Sequence, residues 1–219
     1  MALHLQRELE NLKRQILSLS AIVEENVRKA VISIGERDPQ LAAEVRAKDP
    51  EIDRMEMDVE EECLKILALY QPVAVDLRFI VAVLKINNDL ERIGDLAVNI
   101  AKRSQFLAER ADLGVPFDFG EICRRTLEML RRSLDALMTM NGNLAQTVLA
   151  SDDEVDAINK QMYVKITRAI HKEPAKTEVL LSYLSATRHL ERIADYATNI
   201  AEDVIYMIEG AIVRHGGNP

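Results

Sequence analysis

Residues 89–101 read "DLERIGDLAVNIA", and residues 189–201 read "HLERIADYATNIA". Both halves of the fold can be read outward from this repeated stretch. Leu90, Ile93, Ala97 and Ile100 recur at steps of three and four, the spacing of an apolar stripe on one face of an α-helix. Leu190, Ile193, Ala197 and Ile200 repeat the stripe. Beside it runs a polar stripe: Asn88, Glu91, Asp95 and Asn99 in the first copy, and Arg188, Glu191, Asp195, Asn199 and Glu202 in the second. Like charges at i, i+4 cost an exposed helix roughly 0.2–0.5 kcal/mol. Helix formation does not require Glu91 beside Asp95, nor Glu191 beside Asp195.

A second echo runs between "LAAEVRAKDPEID", 41–53, and "LAQTVLASDDEVD", 144–156. The chain is therefore a tandem repeat, expected as residues 1–110, a linker at 111–120, and residues 121–219. The linker "ADLGVPFDFG" holds two Gly and one Pro where the helical period lapses.

The rest of the chain is helical in pattern. Leu5, Leu9, Leu12, Ile16, Leu19, Val23, Val27, Ala30 and Ile34 mark a first amphipathic helix, stopped by "GERDP", with Asp38 as N-cap and Pro39 at the first helical position. Pro50 predicts a break or kink in the second helix, between segments at 39–47 and about 50–69. A third helix is expected over 73–109 and a fourth over 119–140. A short helix follows the "NGN" turn, another runs from "SDDEVD" to about 171, and a last covers 175–213. Few aromatics, eight Gly and six Pro argue against a turn-dense β-fold. The fold class is all-α: two three-helix bundles, six long helices, in up-down packing.

A formal charge of -8 argues against nucleic acid and against a polybasic membrane anchor. The longest apolar run, "FIVAVL" at 79–84, falls far short of the ~20 residues that span a bilayer. The expectation is a soluble, cytoplasmic protein without membrane insertion, with Cys63 and Cys123 as buried free thiols.

Two helical carboxylates one turn apart can hold a cation or bridge two. Hard divalent ions favour such oxygen donors, and Asn adds a neutral carbonyl. Glu91 and Asp95, with Glu191 and Asp195, are thus candidate metal ligands. Arg92 and Arg192, three residues before each Asp, supply the competing explanation of a solvated ion-paired face. His189 could add an imidazole. Asp53, Glu56 and Glu60 line one face of the second helix, while the second half keeps Asp156 but has Asn159 and Tyr163. The expectation is that the second half lacks a complete carboxylate cage or that the two sites are unequal.

"QPVAVDLRFIVAVLKINNDLERIGDLAVNIA", "LERIADYATNIAE" and "IDRMEMDVEEECL" together resemble the PhoU family of bacterial phosphate-signalling regulators. The resemblance implies two three-helix bundles related by pseudo-two-fold symmetry. Each would bear an acidic motif able to bind multinuclear metal clusters, on Glu91 and Asp95 and on Glu191 and Asp195. Iron, zinc, manganese or magnesium would be the ion. It further implies a non-enzymatic adaptor between the ATPase subunit of a phosphate ABC importer and a sensor histidine kinase, restraining both when phosphate is plentiful. Long apolar stripes suit a homodimer. The competing reading, a ferritin-like store or carboxylate-bridged oxidase, wants Glu-x-x-His, which none of His4, His171, His189 or His215 provides.

Overall fold

A computed structural model of the chain describes residues 2–110 and 117–210. Among these there are only helices. The first repeat comprises α1 (Ala2–Glu36), α2 (Pro39–Tyr70) and α3 (Ala74–Ala108). The second comprises α4 (Phe119–Thr139), α5 (Gly142–Leu149), α6 (Asp152–Lys172), a 3₁₀ turn at Pro174–Lys176, and α7 (Thr177–Glu209). No described helix is long and apolar enough to cross a membrane.

The stripes read from the sequence are the core. Leu12, Ile16, Leu19, Val23, Val27, Ala30 and Ile34 of α1 are fully closed to solvent, as are the four stripe positions of α3 and of α7. Each such Leu or Ile contributes about 1.5–3 kcal/mol by leaving water. The expected cap is present: Asp38 Oδ1 accepts from the backbone N–H of Gln40 (2.8 Å) and Leu41 (3.0 Å), with Pro39 opening α2. Asn141 caps α5 by accepting from Leu144 N–H at 3.1 Å.

Two expectations need correction. The second helix does not break at Pro50, because α2 runs unbroken through it. Pro50 is exposed and Ile52, Val59 and Ile66 are fully buried along one face, so tertiary packing holds the helix together across the missing donor. The interruption occurs instead in the proline-free copy, between α5 and α6 at Ala150–Ser151. There Ser151 Oγ donates to Thr147 C=O at 2.8 Å and the chain tightens by a turn. The last helix also ends early: Gly210, at φ 72, closes α7 after Glu209 by donating to Tyr206 C=O. Positions 211–213 of the expected helix lie outside the described residues.

Helix α3 packs on α1, α2 and α7, while α7 packs on α4, α5, α6 and α3. The two long terminal helices of the repeats thus form a central antiparallel pair. Its register follows from Lys85–Asp203, Arg110–Glu178 and Arg78 against Gly210. Each step forward on α3 is matched by an equal step back on α7. Continuing that register sets Gly94 level with Ala194, the two equivalent positions of the repeat. This relation is the pseudo-two-fold.

Candidate metal centre

Both acidic motifs sit near the middle of the central pair, each turned toward the middle helix of its own repeat. On α3, Glu91 and Asp95 flank the line where α2 crosses. Gly94 is what permits the crossing, since a Cβ there would stand 3.3 Å from Ile52 Cγ2. Asp53, next to Ile52, and Asp95, next to Gly94, are thereby brought within electrostatic reach of Glu91.

The electrostatics record the convergence. The Glu91 carboxyl is raised above its ordinary range, first by burial, then by Asp95, with smaller pushes from Asp53 and Glu56 and an opposing pull from Arg92. Asp49 is raised by burial, Asp53 and Asp95, with Lys102 opposing. Glu56 is raised by burial, Glu60 and Asp53, and its side chain and backbone carbonyl accept from Asn87 Nδ2 at 3.2 and 2.9 Å. The first cluster therefore comprises Asp49, Asp53 and Glu56 from α2 with Glu91 and Asp95 from α3.

The second cluster is its counterpart, with Asp152 and Asp156 from α6 and Glu191 and Asp195 from α7. Asp195 is pushed up to about 6 by burial, then by Glu191, Asp152 and Asp156, against a pull from Arg192. Asp152 is raised by burial, Asp156 and Asp153. Asn159 is half-buried and Tyr163 exposed where the first copy has Glu56 and Glu60.

The clusters differ in a way the sequence did not announce. In the first, Arg92 bridges the motif, with Nε 3.4 Å from Glu91 Oε2 and Nη1 3.7 Å from Asp95 Oδ2. The corresponding Arg192 makes no ion pair with a described residue. The second motif therefore has fewer acids but keeps less neutralised charge.

The ligand types fit a hard cation. All the charged donors are carboxylate oxygens, drawn from two helices, and their mutual repulsion is what a cation relieves. As the side chains stand, no three His, Cys, Asp or Glu donors among the described residues converge into a finished cage.

Sequence reasoning missed Asp49 and Asp152. Each lies four residues before Asp53 or Asp156, and each falls at the same place in the aligned repeat segments, so the signal was present. His189, by contrast, does not join the acids. Two positions before Glu191 it leaves α7 on another side, hydrogen-bonded to Ser185 at 3.3 Å.

Comparisons with known proteins agree with this architecture. A family model described as the PhoU domain matches twice, over residues 16–104 and 119–204. A Pseudomonas putida protein named as a phosphate-specific transport system accessory protein PhoU homolog is 38% identical, covering 96% of this chain and 82% of its own length. An Aquifex aeolicus protein of the same name is 37% identical, covering 95% of each. The crystal structure of PhoU from Pseudomonas aeruginosa superposes with a TM-score of 0.90 at 36% identity, covering 94% of this chain and 99% of that one. The phosphate transport system regulatory protein PhoU from Streptococcus pneumoniae gives a TM-score of 0.85 at 28% identity, covering 96% of this chain and all of that one. With both repeats matched and nearly the whole length aligned, this chain belongs to the PhoU family.

Proposed function

We propose that this protein is a non-enzymatic regulator of phosphate uptake and phosphate signalling. Its relatives carry names that tie them to the phosphate-specific transport system, and they align over nearly the whole chain. In this reading it acts in the cytoplasm, as a homodimer, between the ATPase subunit of a phosphate ABC importer and a sensor histidine kinase. It represses the starvation response when phosphate is plentiful. The two repeats, 1–110 and 121–219, each present one acidic cluster.

The observation that carries the metal part is the paired convergence of acids from α2 with α3 and from α6 with α7. Divalent or transition ions, such as iron, zinc, manganese or magnesium, would be held by Glu91 and Asp95 and by Glu191 and Asp195, helped by Asp49, Asp53, Asp152 and Asp156. A bound cation would offset carboxylate repulsion and draw the middle helix of each repeat onto the central pair. Partner domains would then read a stiffened surface. Nothing in this role asks for a nucleophile or a redox ligand set, and the absence of any Glu-x-x-His weighs against an oxidase or store.

Elemental analysis of protein purified without chelators or nickel resin tests the metal part. Replacing Glu91, Asp95, Glu191 and Asp195 by Ala should abolish bound metal, and unchanged content in that variant would reject the assignment. Co-purification with the importer's ATPase subunit and with the kinase's cytoplasmic domain tests the adaptor part. Binding to neither would leave a metal-binding helical scaffold.

A further inference from the structure

The pseudo-two-fold makes the two ends of the α3–α7 seam comparable residue by residue. Lys85 corresponds to Ser185, and Asp203 corresponds to Arg103. At one end Lys85 Nζ stands 2.5 Å from Asp203 Oδ1 and 5.5 Å from the centre of the Tyr206 ring. That cation has a carboxylate and an aromatic face beside it.

At the other end the counter-charge is gone. The cation is Arg103 on α3, and the register sets it level with Ser185 on α7, a neutral hydroxyl. Arg103 Nε is buried and has no hydrogen-bond partner among the described residues. The neighbouring differences between the copies run the same way: Glu202 becomes Lys102, Asp89 becomes His189, and Asn88 becomes Arg188. Lys102, Arg103, Arg188 and Arg192 form no ion pair with any described residue. The half-buried His189 stands beside Ser185, its Nε2 3.3 Å from the hydroxyl oxygen.

A chain of formal charge -8 thus places Lys102, Arg103 and Arg188, none ion-paired with a described residue, at one end of its central seam. A desolvated guanidinium N–H without an acceptor is costly, and the cost vanishes if an anion enters. A guanidinium fork matches two oxygens of a tetrahedral ion. The Ser185 hydroxyl and the Lys102 ammonium can donate to others.

We propose that this end of the seam is a binding site for a small tetrahedral oxyanion of the phosphate class, held by Arg103, Ser185 and His189, with Lys102 and Arg188 supplying field. The ion stands in for the carboxylate that Asp203 provides at the opposite end. Its ligands lie on both repeats, so binding would tie α3 to α7. The site is separate from the acidic clusters and does not depend on their being loaded with metal.

The test is titration of the purified protein with inorganic phosphate by calorimetry, against chloride at equal ionic strength, with and without a chelator. Saturable binding at one site per chain is expected, persisting in the chelator. Arg103→Gln should weaken it by about tenfold or more, given the strength of charge-assisted pairs. Lys85→Gln, at the other end, should leave it unchanged. No saturable binding up to about 10 mM, roughly tenfold above a millimolar Kd, would overturn the proposal. So would undiminished binding in Arg103→Gln, or binding that the chelator removes, which would assign the anion to bound metal. Should Arg103→Gln fold poorly by circular dichroism, amide shifts of the wild-type protein decide. Phosphate must move the signals of Arg103, Ser185 and His189 and spare those of Lys85 and Asp203, and the reverse pattern rejects the site.

Discussion

Gly94 of α3 closes onto Ile52 of α2 with no room for a methyl group at ordinary distance: a Cβ on Gly94 would lie 3.3 Å from Ile52 Cγ2 and 3.4 Å from Cδ1. Both residues are buried, and each is followed in the chain by an acid of the first cluster, Asp95 or Asp53. The tightness of a helix crossing is therefore coupled to the spacing of the carboxylates.

Gly94→Ala sets two effects against each other. Better helix propensity favours it by about 1 kcal/mol, while overpacking costs about 1–3 kcal/mol. Ile52 is β-branched, fully buried and stiff at χ1, so it cannot easily give way. A net loss of roughly 1 kcal/mol is expected by urea unfolding. In an Ile52→Ala background the same change should become stabilising, and a cycle with no coupling would contradict the contact.

Asp195 predicts a pH dependence of the metal-free protein. Its folded-state value of about 6 lies above the ordinary 3.8, so folding favours the protonated form. The sign is destabilising at high pH: stability falls as pH rises from about 4 to about 6, then levels. Asp195→Asn should raise the unfolding midpoint at pH 7 and flatten that fall, with little effect below pH 4. A divalent cation should reverse the trend in wild type by favouring the carboxylate. Identical pH profiles for wild type and Asp195→Asn would remove the basis for this reading.

Pro50 removes a donor from the interior of α2 without ending it. Pro50→Ala restores the N–H to the Arg46 carbonyl and should raise stability by about 1–3 kcal/mol. Equilibrium denaturation measures it. A loss of stability would mean that the proline's fixed φ matters more than the missing bond.

Cys63 and Cys123 are buried, and burial pushes both thiols up to about 12, with nearby acids adding to it. A thiol-specific chromogenic reagent at pH 8 should therefore react with neither in the native state and with both after denaturation. Rapid native labelling of either would point to local opening of α2 or α4.

Much of this was legible before any coordinates. The apolar stripes fixed helix positions and the buried face, because 3.6-residue periodicity is a local property. The cap at Asp38 was equally local. Pro50 misled, because its intrinsic penalty was outweighed by the buried positions around Ile52, which no local rule counts. Gly210 closes α7 short of position 213, because its left-handed conformation is set by the chain around it and not by glycine alone. The acidic motifs were visible at Glu91, Asp95, Glu191 and Asp195, yet Asp49 and Asp152 emerged only once α2 and α6 were docked on their partners. Arg92 bridging its motif while Arg192 leaves its own open is a matter of side-chain placement, and identical "LER" letters could not reveal it.

The pairing of α3 with α7 has one more consequence. Were the seam formed by two separate identical chains, every residue would recur on both sides, and a Lys–Asp contact at one end would be obliged to appear at the other. Joining the halves in one polypeptide lifts that obligation. Lys85 and Asp203 can lock one end while Ser185 and Arg103 leave the other unlocked. The molecule keeps the shape of a twofold object and gains a direction.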